Sequence, residues 1–262
     1  MKHLKLEAEL QYYVCCQSCY SLYDIDDSPL ECKYHITSDP SVCGAKRFEK
    51  INLLSLERTI SSFKSSRNIP QRNKLQHKKP ISIFASQNFS EWLQWFLSLP
   101  QIESLIEEWS KSLDTNSSDV VDYCNSAAWQ RLSSKVNSDF NIKNNSLFLL
   151  FSLFVDWFNP LGNKISGKQN SLGILSLTCL NLPPSVRYKS QYTFVAGMIP
   201  APNQPNMITM SNVLKPLVKD LLELTHPKNF QTHQFPLGRA VVVHLGALIG
   251  DVVATHKAAV FS

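Results

Sequence analysis

The chain has 262 residues, 44% of them hydrophobic, and a net charge of +5; that suits one large globular domain or two to three small ones. The N-terminus, "MKHLKLEAEL", lacks the apolar core of a secretory signal, and the longest apolar run, around residues 147–158, is too short to span a bilayer and contains an acid. The chain is therefore expected to be soluble and intracellular with no membrane partner, where its seven cysteines point to metal or free thiols rather than disulfides.

Charge is unevenly spread. Residues 1–48 carry −2, residues 49–80 carry +6, residues 81–146 carry −4 and residues 147–262 carry +5. Basic charge is concentrated in one connector and in the C-terminal region, as in chains that meet polyanions.

Five of the cysteines lie in "YVCCQSCYSLYDIDDSPLECKYHITSDPSVCGAKRF". From Cys16 the spacing is C-x2-C-x12-C-x10-C, ending at Cys43. A C-x-x-C knuckle lets two thiolates grip one tetrahedral zinc from a tight turn, and a second pair closes the site. Cys16, Cys19, Cys32 and Cys43 are the simplest ligand set; His35 could replace Cys32, and Cys15 could replace Cys16. The glycine after Cys43 suits a knuckle turn of positive φ. A closed site of this kind is structural. Residues 1–48 are read as a zinc-ribbon-like module and residues 49–80 as a basic linker that could touch DNA phosphates.

Residues 81–145 are read as a helical segment. In "NFSEWLQWFLSLPQIESLIEEWSKSL", Trp92, Trp95 and Phe96, then Ile102, Leu105, Ile106 and Trp109, recur at helical spacing. The tryptophans are expected in the core. Ser90-Glu91 is taken as the start of the first helix and Pro100 as part of the first turn of the second.

From Ser146 apolar runs replace helical spacing. "SLFLLFSLFVDWF", "GILSLTCLNL" and "YTFVAGMIP" read as strands, with "NPLGNKISGKQNSLG" a loop between the first two. "MSNVLKPLVKDLLELT" reads as a helix, and "RAVVVHLGALIGDVVATHKAAVF" as a strand, a turn near Gly250-Asp251 and a helix start. The overall class is α/β, or α+β for the whole chain. The order β-β-β-α-β over residues 146–262 is that of an incomplete ribonuclease-H-like mixed sheet, in which the first and fourth strands are neighbours.

This region holds four acids. Asp220 and Glu223 lie on the amphipathic helix, where solvent exposure explains them. Asp156 and Asp251 sit in apolar strand surroundings. Two carboxylates brought together repel unless a divalent cation lies between them, and hard oxygen ligands suit Mg²⁺ or Mn²⁺. The competing reading is that both acids cap turns or helix starts, Asp251 being a good N-cap for the segment that follows it.

Several separated stretches carry a resemblance. "VDWFNPLGNK", "LTCLNLPPSVRY", "FVAGMIPAPNQP", "LKPLVKDLLEL" and "ALIGDVVATHKAAVF", in that order, resemble the transposases of CACTA-type (En/Spm-like) DNA transposons, especially fungal ones. The cysteine segment and "NFSEWLQWFLSLPQIESLI" are similar to the front part of those proteins. The resemblance implies a nuclear, metal-dependent enzyme of DNA cleavage and strand transfer on transposon ends, with Asp156 and Asp251 as catalytic acids and ligands of Mg²⁺ or Mn²⁺. Three departures matter. Trp157 stands where the family has a small glycine, and its bulk is expected to crowd the metal edge. Ala201-Pro202 and Asp251-Val252-Val253-Ala254 depart from the family's I-P-G-P and D-[LF]-P-A patterns. The third acid of such a triad would lie beyond Ser262, so the chain is expected to be a truncated transposase with little or no cleavage activity. The alternative is a non-catalytic, zinc-dependent module that binds DNA or a protein.

Overall fold

A computed structural model of the chain describes residues 9–35, 41–49, 78–113, 119–140, 146–160 and 171–259. Most of the basic linker and of the loop after the first C-terminal strand lies outside these residues. Contacts divide the chain into two units, Tyr12–Phe84 and a larger one made of Met1–Gln11 and Ala85–Ser262. No helix among the described residues is long and apolar enough to cross a membrane.

The smaller unit has little regular structure. Strands β1 (Leu10–Cys15) and β2 (Leu22–Asp24) pair antiparallel, Tyr13 opposite Asp24 and Cys15 opposite Leu22. β3 (Phe48–Glu49) and β4 (Lys79–Pro80) make a second short ladder. With so few ladder bonds, the packing centre is the sulfur cluster itself. Cys16, Cys19 and Cys32 are buried, with Tyr23, Tyr34, Cys43 and Ala45 against them.

In the larger unit, β5 (Ile83–Gln87) leads directly into helix α1 (Phe89–Ser98), followed by α2 (Ile102–Ser112) and α3 (Ala127–Phe140). Then come β6 (Leu147–Phe158), β7 (Leu172–Cys179), the one-turn helix α4 (Pro184–Arg187), β8 (Thr193–Ile199) and helix α5 (Met207–Leu224). β9 (Lys228–Phe230), β10 (Arg239–Gly250) and α6 (Val252–Ala258) follow. The strand order is β5-β8-β7-β6-β10-β9. β6, β7 and β8 form an antiparallel meander, and β10 returns parallel to β6 after α5. The first and fourth strands of the β-β-β-α-β series are thus neighbours, as expected. Two strands were not foreseen: β5, which pairs antiparallel with β8, and β9, which pairs with the first residues of β10.

β6 is flanked on both sides, which explains its nearly unbroken apolar sequence. On one face Phe151 meets the ring of Phe89 edge-on at 5.2 Å. Trp92 stacks on Phe96 at 4.8 Å and lies 5.2 Å from Phe194. Of the three tryptophans expected in the core, Trp92 is buried, Trp109 partly so and Trp95 is 38% exposed. On the other face Trp129 of α3 stacks on Phe148 at 5.0 Å.

The helix starts differ from those expected. Asn88 caps α1, its side chain accepting from the Glu91 N–H at 2.9 Å, so Ser90 is already helical. Pro100 stands before α2 rather than in it, and Gln101 is the N-cap. Asp220 is not a solvated helix acid. It is partly buried, accepts from the Phe89 N–H at 2.9 Å at the start of α1, and burial pushes its carboxyl up from the ordinary range.

Candidate functional site

Two chemically distinct arrangements stand out, one in each unit. In the smaller, the sulfurs of Cys16, Cys19, Cys32 and Cys43 all lie within 4.8 Å of one another. Cys16 and Cys43 are 3.7 Å apart, Cys19 and Cys32 3.4 Å. A tetrahedral zinc with bonds of about 2.3 Å sets its sulfurs about 3.8 Å apart. The cluster is therefore consistent with a structural zinc site, its four soft donors leaving no open position.

Backbone conformation makes the cluster possible. Gly44 has φ +64°, as the glycine after Cys43 suggested. Tyr20, after Cys19, has φ +60°, a conformation that non-glycine residues rarely adopt. The sequence gives no sign of that second left-handed turn. Polar groups converge on the sulfurs. Ser21 Oγ lies 3.1 Å from both Cys19 and Cys32, and the Tyr23 hydroxyl 3.4 Å from Cys32. Cys16 is pulled well below the ordinary thiol range, first by the hydrogen bond from Cys19 and then by the N–H groups of Cys19 and Ser18. Cys19, as donor in that pair and buried, is pushed up.

The two alternates do not join. The Cys15 thiol points to the Cys16 carbonyl at 3.7 Å, and burial pushes it up to about 12, the range of an inert thiol. His35 is exposed and forms an isolated bridge with Val42.

The second arrangement is at the C-terminal ends of β6 and β10. Their parallel register sets Val155 opposite Gly250. Asp156 follows Val155 within β6, and Asp251 follows Gly250, the last residue of β10. Asp156 is partly buried, and its Oδ1 accepts from the Trp157 N–H at 2.8 Å. Asp251 is exposed and caps α6, accepting from the Ala254 N–H. The N-cap reading of Asp251 thus holds. Among the described residues, the group of three or more metal-binding side chains is the cysteine cluster, and neither Asp156 nor Asp251 belongs to such a group.

Trp157 does not crowd Asp156. Successive strand residues point to opposite faces, and Trp157 is paired with Gly173. A Cβ at Gly173 would stand 2.9 Å from the indole Nε1, so the missing side chain is what admits the ring. Lys257 of α6 lies over the indole at 5.0 Å. Gly250 is equally constrained, since a Cβ there would meet the Val155 carbonyl oxygen at 2.6 Å. Gly250→Ala is expected to pry β10 from β6 beside the acids and to cost about 1–3 kcal/mol, read as a lowered urea midpoint. An unchanged midpoint would refute this.

Toward the opposite, N-terminal ends of β6 and β10, buried polar residues hold the scaffold. Asn181, in "NLPP", accepts from the Leu150 N–H at 2.7 Å and donates to the Phe148 carbonyl at 3.3 Å, pinning that segment to β6. Arg187 donates to Asp122 at 2.7 Å and to the Leu182 carbonyl at 2.7 Å, both members of the ion pair being buried. Glu103 of α2 accepts from Arg239 of β10 and from the Gln234 N–H, both at 2.8 Å.

Comparison with known families turns on this same stretch. Residues 119–245 match the model of transposase family tnp2, the En/Spm-type family. The tnp2 match begins just before Asp122, contains Asp156, Asn181 and Arg187, and ends within β10. Asp251 and the four cysteines lie outside it. No curated protein matches the chain.

Proposed function

We propose that the larger unit carries the opening strands of a ribonuclease-H-like nuclease core and that the chain derives from an enzyme of DNA cleavage and strand transfer on transposon ends. Asp156 and Asp251 are its acid pair. The observation that carries this reading is the parallel register of Val155 with Gly250; the tnp2 match over β6 to β10 supports it. Two carboxylates are a hard oxygen donor set that fits Mg²⁺ or Mn²⁺. Bound there, such an ion supplies Lewis-acid activation at phosphorus. The chain's own part is placement. The long β6–β10 ladder fixes the two backbones, and the Trp157 and Ala254 N–H groups orient the carboxylates. With two acids alone, the described part is expected to hold the ion weakly and to cleave DNA slowly or not at all. Transposon-end DNA is the expected partner and the nucleus the expected site of action.

Manganese binding to the full chain, followed by paramagnetic resonance, tests the pair. Asp156→Ala and Asp251→Ala are each expected to weaken it by more than the roughly tenfold typical of losing an outer partner. Equal Mn²⁺ affinity in wild type and Asp156→Ala would sink the reading. The buried four-cysteine cluster favours a second reading, a zinc-dependent binding module. DNA binding that is abolished by a zinc chelator, in a chain whose Mn²⁺ binding ignores both acids, would favour that one.

A further inference from the structure

Arg47 is 1% exposed. The other two buried arginines, Arg187 and Arg239, each face a buried carboxylate. Arg47 has no carboxylate partner among the described residues. Its Nη1 donates to Ser28 Oγ at 2.8 Å and its Nη2 to the Glu31 carbonyl at 3.4 Å, while Nε is buried with no hydrogen-bond partner. The guanidinium carbon lies over the Tyr23 ring, 3.7 Å from its centroid. A buried cation without a counter-ion is costly unless negative charge is near.

Tyr23 leads from that cation to the sulfurs. Its hydroxyl oxygen accepts from the Lys33 N–H at 3.0 Å, which leaves the phenolic proton for the Cys32 sulfur at 3.4 Å. With Tyr23 serving Cys32, the Ser21 hydroxyl is left to serve Cys19. Such an arrangement suits thiolates, which only accept. Zinc with four thiolates carries two net negative charges, and a guanidinium behind the donor ring complements them.

We propose that Tyr23 and Arg47 are positioning residues of the four-cysteine centre: Arg47 locks the Tyr23 ring so that its hydroxyl donates to the Cys32 sulfur, raising zinc affinity and quenching that sulfur's reactivity. The inference rests on reading the cluster as a zinc site. Cys32 is thereby the most protected of the four ligands, and the Tyr23 hydroxyl is what protects it.

The test uses the full-length, zinc-loaded chain and two readouts: zinc affinity by competition with a chromophoric chelator, and iodoacetamide alkylation of each cysteine by peptide mapping. Tyr23→Phe keeps the ring and the Arg47 contact and removes only the hydroxyl. It is expected to lower zinc affinity about tenfold and to speed alkylation at Cys32 above the other three. Arg47→Met is expected to do the same, with Arg47→Lys intermediate because it keeps a cation over the ring. A Tyr23→Phe chain with wild-type affinity and wild-type Cys32 alkylation overturns the proposal, as does a uniform rise at all four cysteines, which marks general loosening. A purified chain that neither contains nor takes up zinc overturns the metal reading itself. A zinc-bound chain indifferent to Tyr23→Phe overturns the positioning role alone.

Discussion

Stripping the metal from the four-cysteine cluster is expected to unfold the segments that surround it, residues 12–35 and 41–49. The ladders there are short: three paired positions join β1 to β2 and two join β3 to β4. The buried residues at the centre are the ligands themselves. Four thiols gathered without an ion become a set of poorly satisfied donors where four charge-compensated ligands stood. In small zinc modules the binding free energy is about 10–16 kcal/mol and is in effect folding energy, far more than such ladders supply. Hydrogen exchange read peptide by peptide after chelation is the measurement. Protection lost across residues 12–35 and restored on adding zinc is the expected result, and Cys32→Ser should reproduce the loss without chelator. Unchanged protection in the metal-free chain would mean that the sulfurs pack as ordinary buried thiols.

The second large effect is expected at Arg187. Its guanidinium is 6% exposed and its partner Asp122 2%. Asp122 also accepts from the Cys124 N–H at 3.2 Å and sits at the start of the turn before α3. Arg187→Met keeps the volume and removes the charge, leaving a carboxylate buried without its cation. Such broken pairs cost about 3–5 kcal/mol. Chemical denaturation should show a midpoint lowered accordingly, and the double variant Asp122→Asn/Arg187→Met should recover much of the loss, because the stranded charge is gone. A double variant no better than the single one would mean that shape, not charge, is what Arg187 contributes.

The sequence was legible where pattern is local. The apolar run 147–158 announced a buried strand, the segment "MSNVLKPLVKDLLELT" announced a helix, and cysteine spacing named the four sulfurs that come together. It misled where the deciding partner is distant in the chain. Asp220 looks like a solvated helix acid until the N–H of Phe89, 131 positions earlier, is found on it. Arg187 and Asp122 are 65 positions apart. Trp157 looked obstructive because strand alternation and the vacancy above Gly173 become visible only when β7 is laid beside β6. Tyr20 adopts a glycine-like backbone with no glycine to signal it. β5 and β9 are too short for periodicity, and pairing with β8 and β10 creates them. At the candidate sites the ligand residues were readable, while the residues that orient them, Ser21, Tyr23 and Arg47, were not.

The parallel pairing of β6 with β10 also bears on the order of events as the chain folds. Asp156 is synthesised well before Asp251, and the meander of β7 and β8 can close on β6 through nearby contacts. β10 reaches β6 only after α5 and β9 have been traversed, a long loop closure of the kind that slows folding. The acid pair is thus assembled late, so a nascent or partly folded chain holds Asp156 on a structured strand with no companion. Any ion-dependent property of the pair should then appear with the slowest folding phase, so that refolding followed by Mn²⁺ binding would report the closure of β10 on β6 and not the earlier meander.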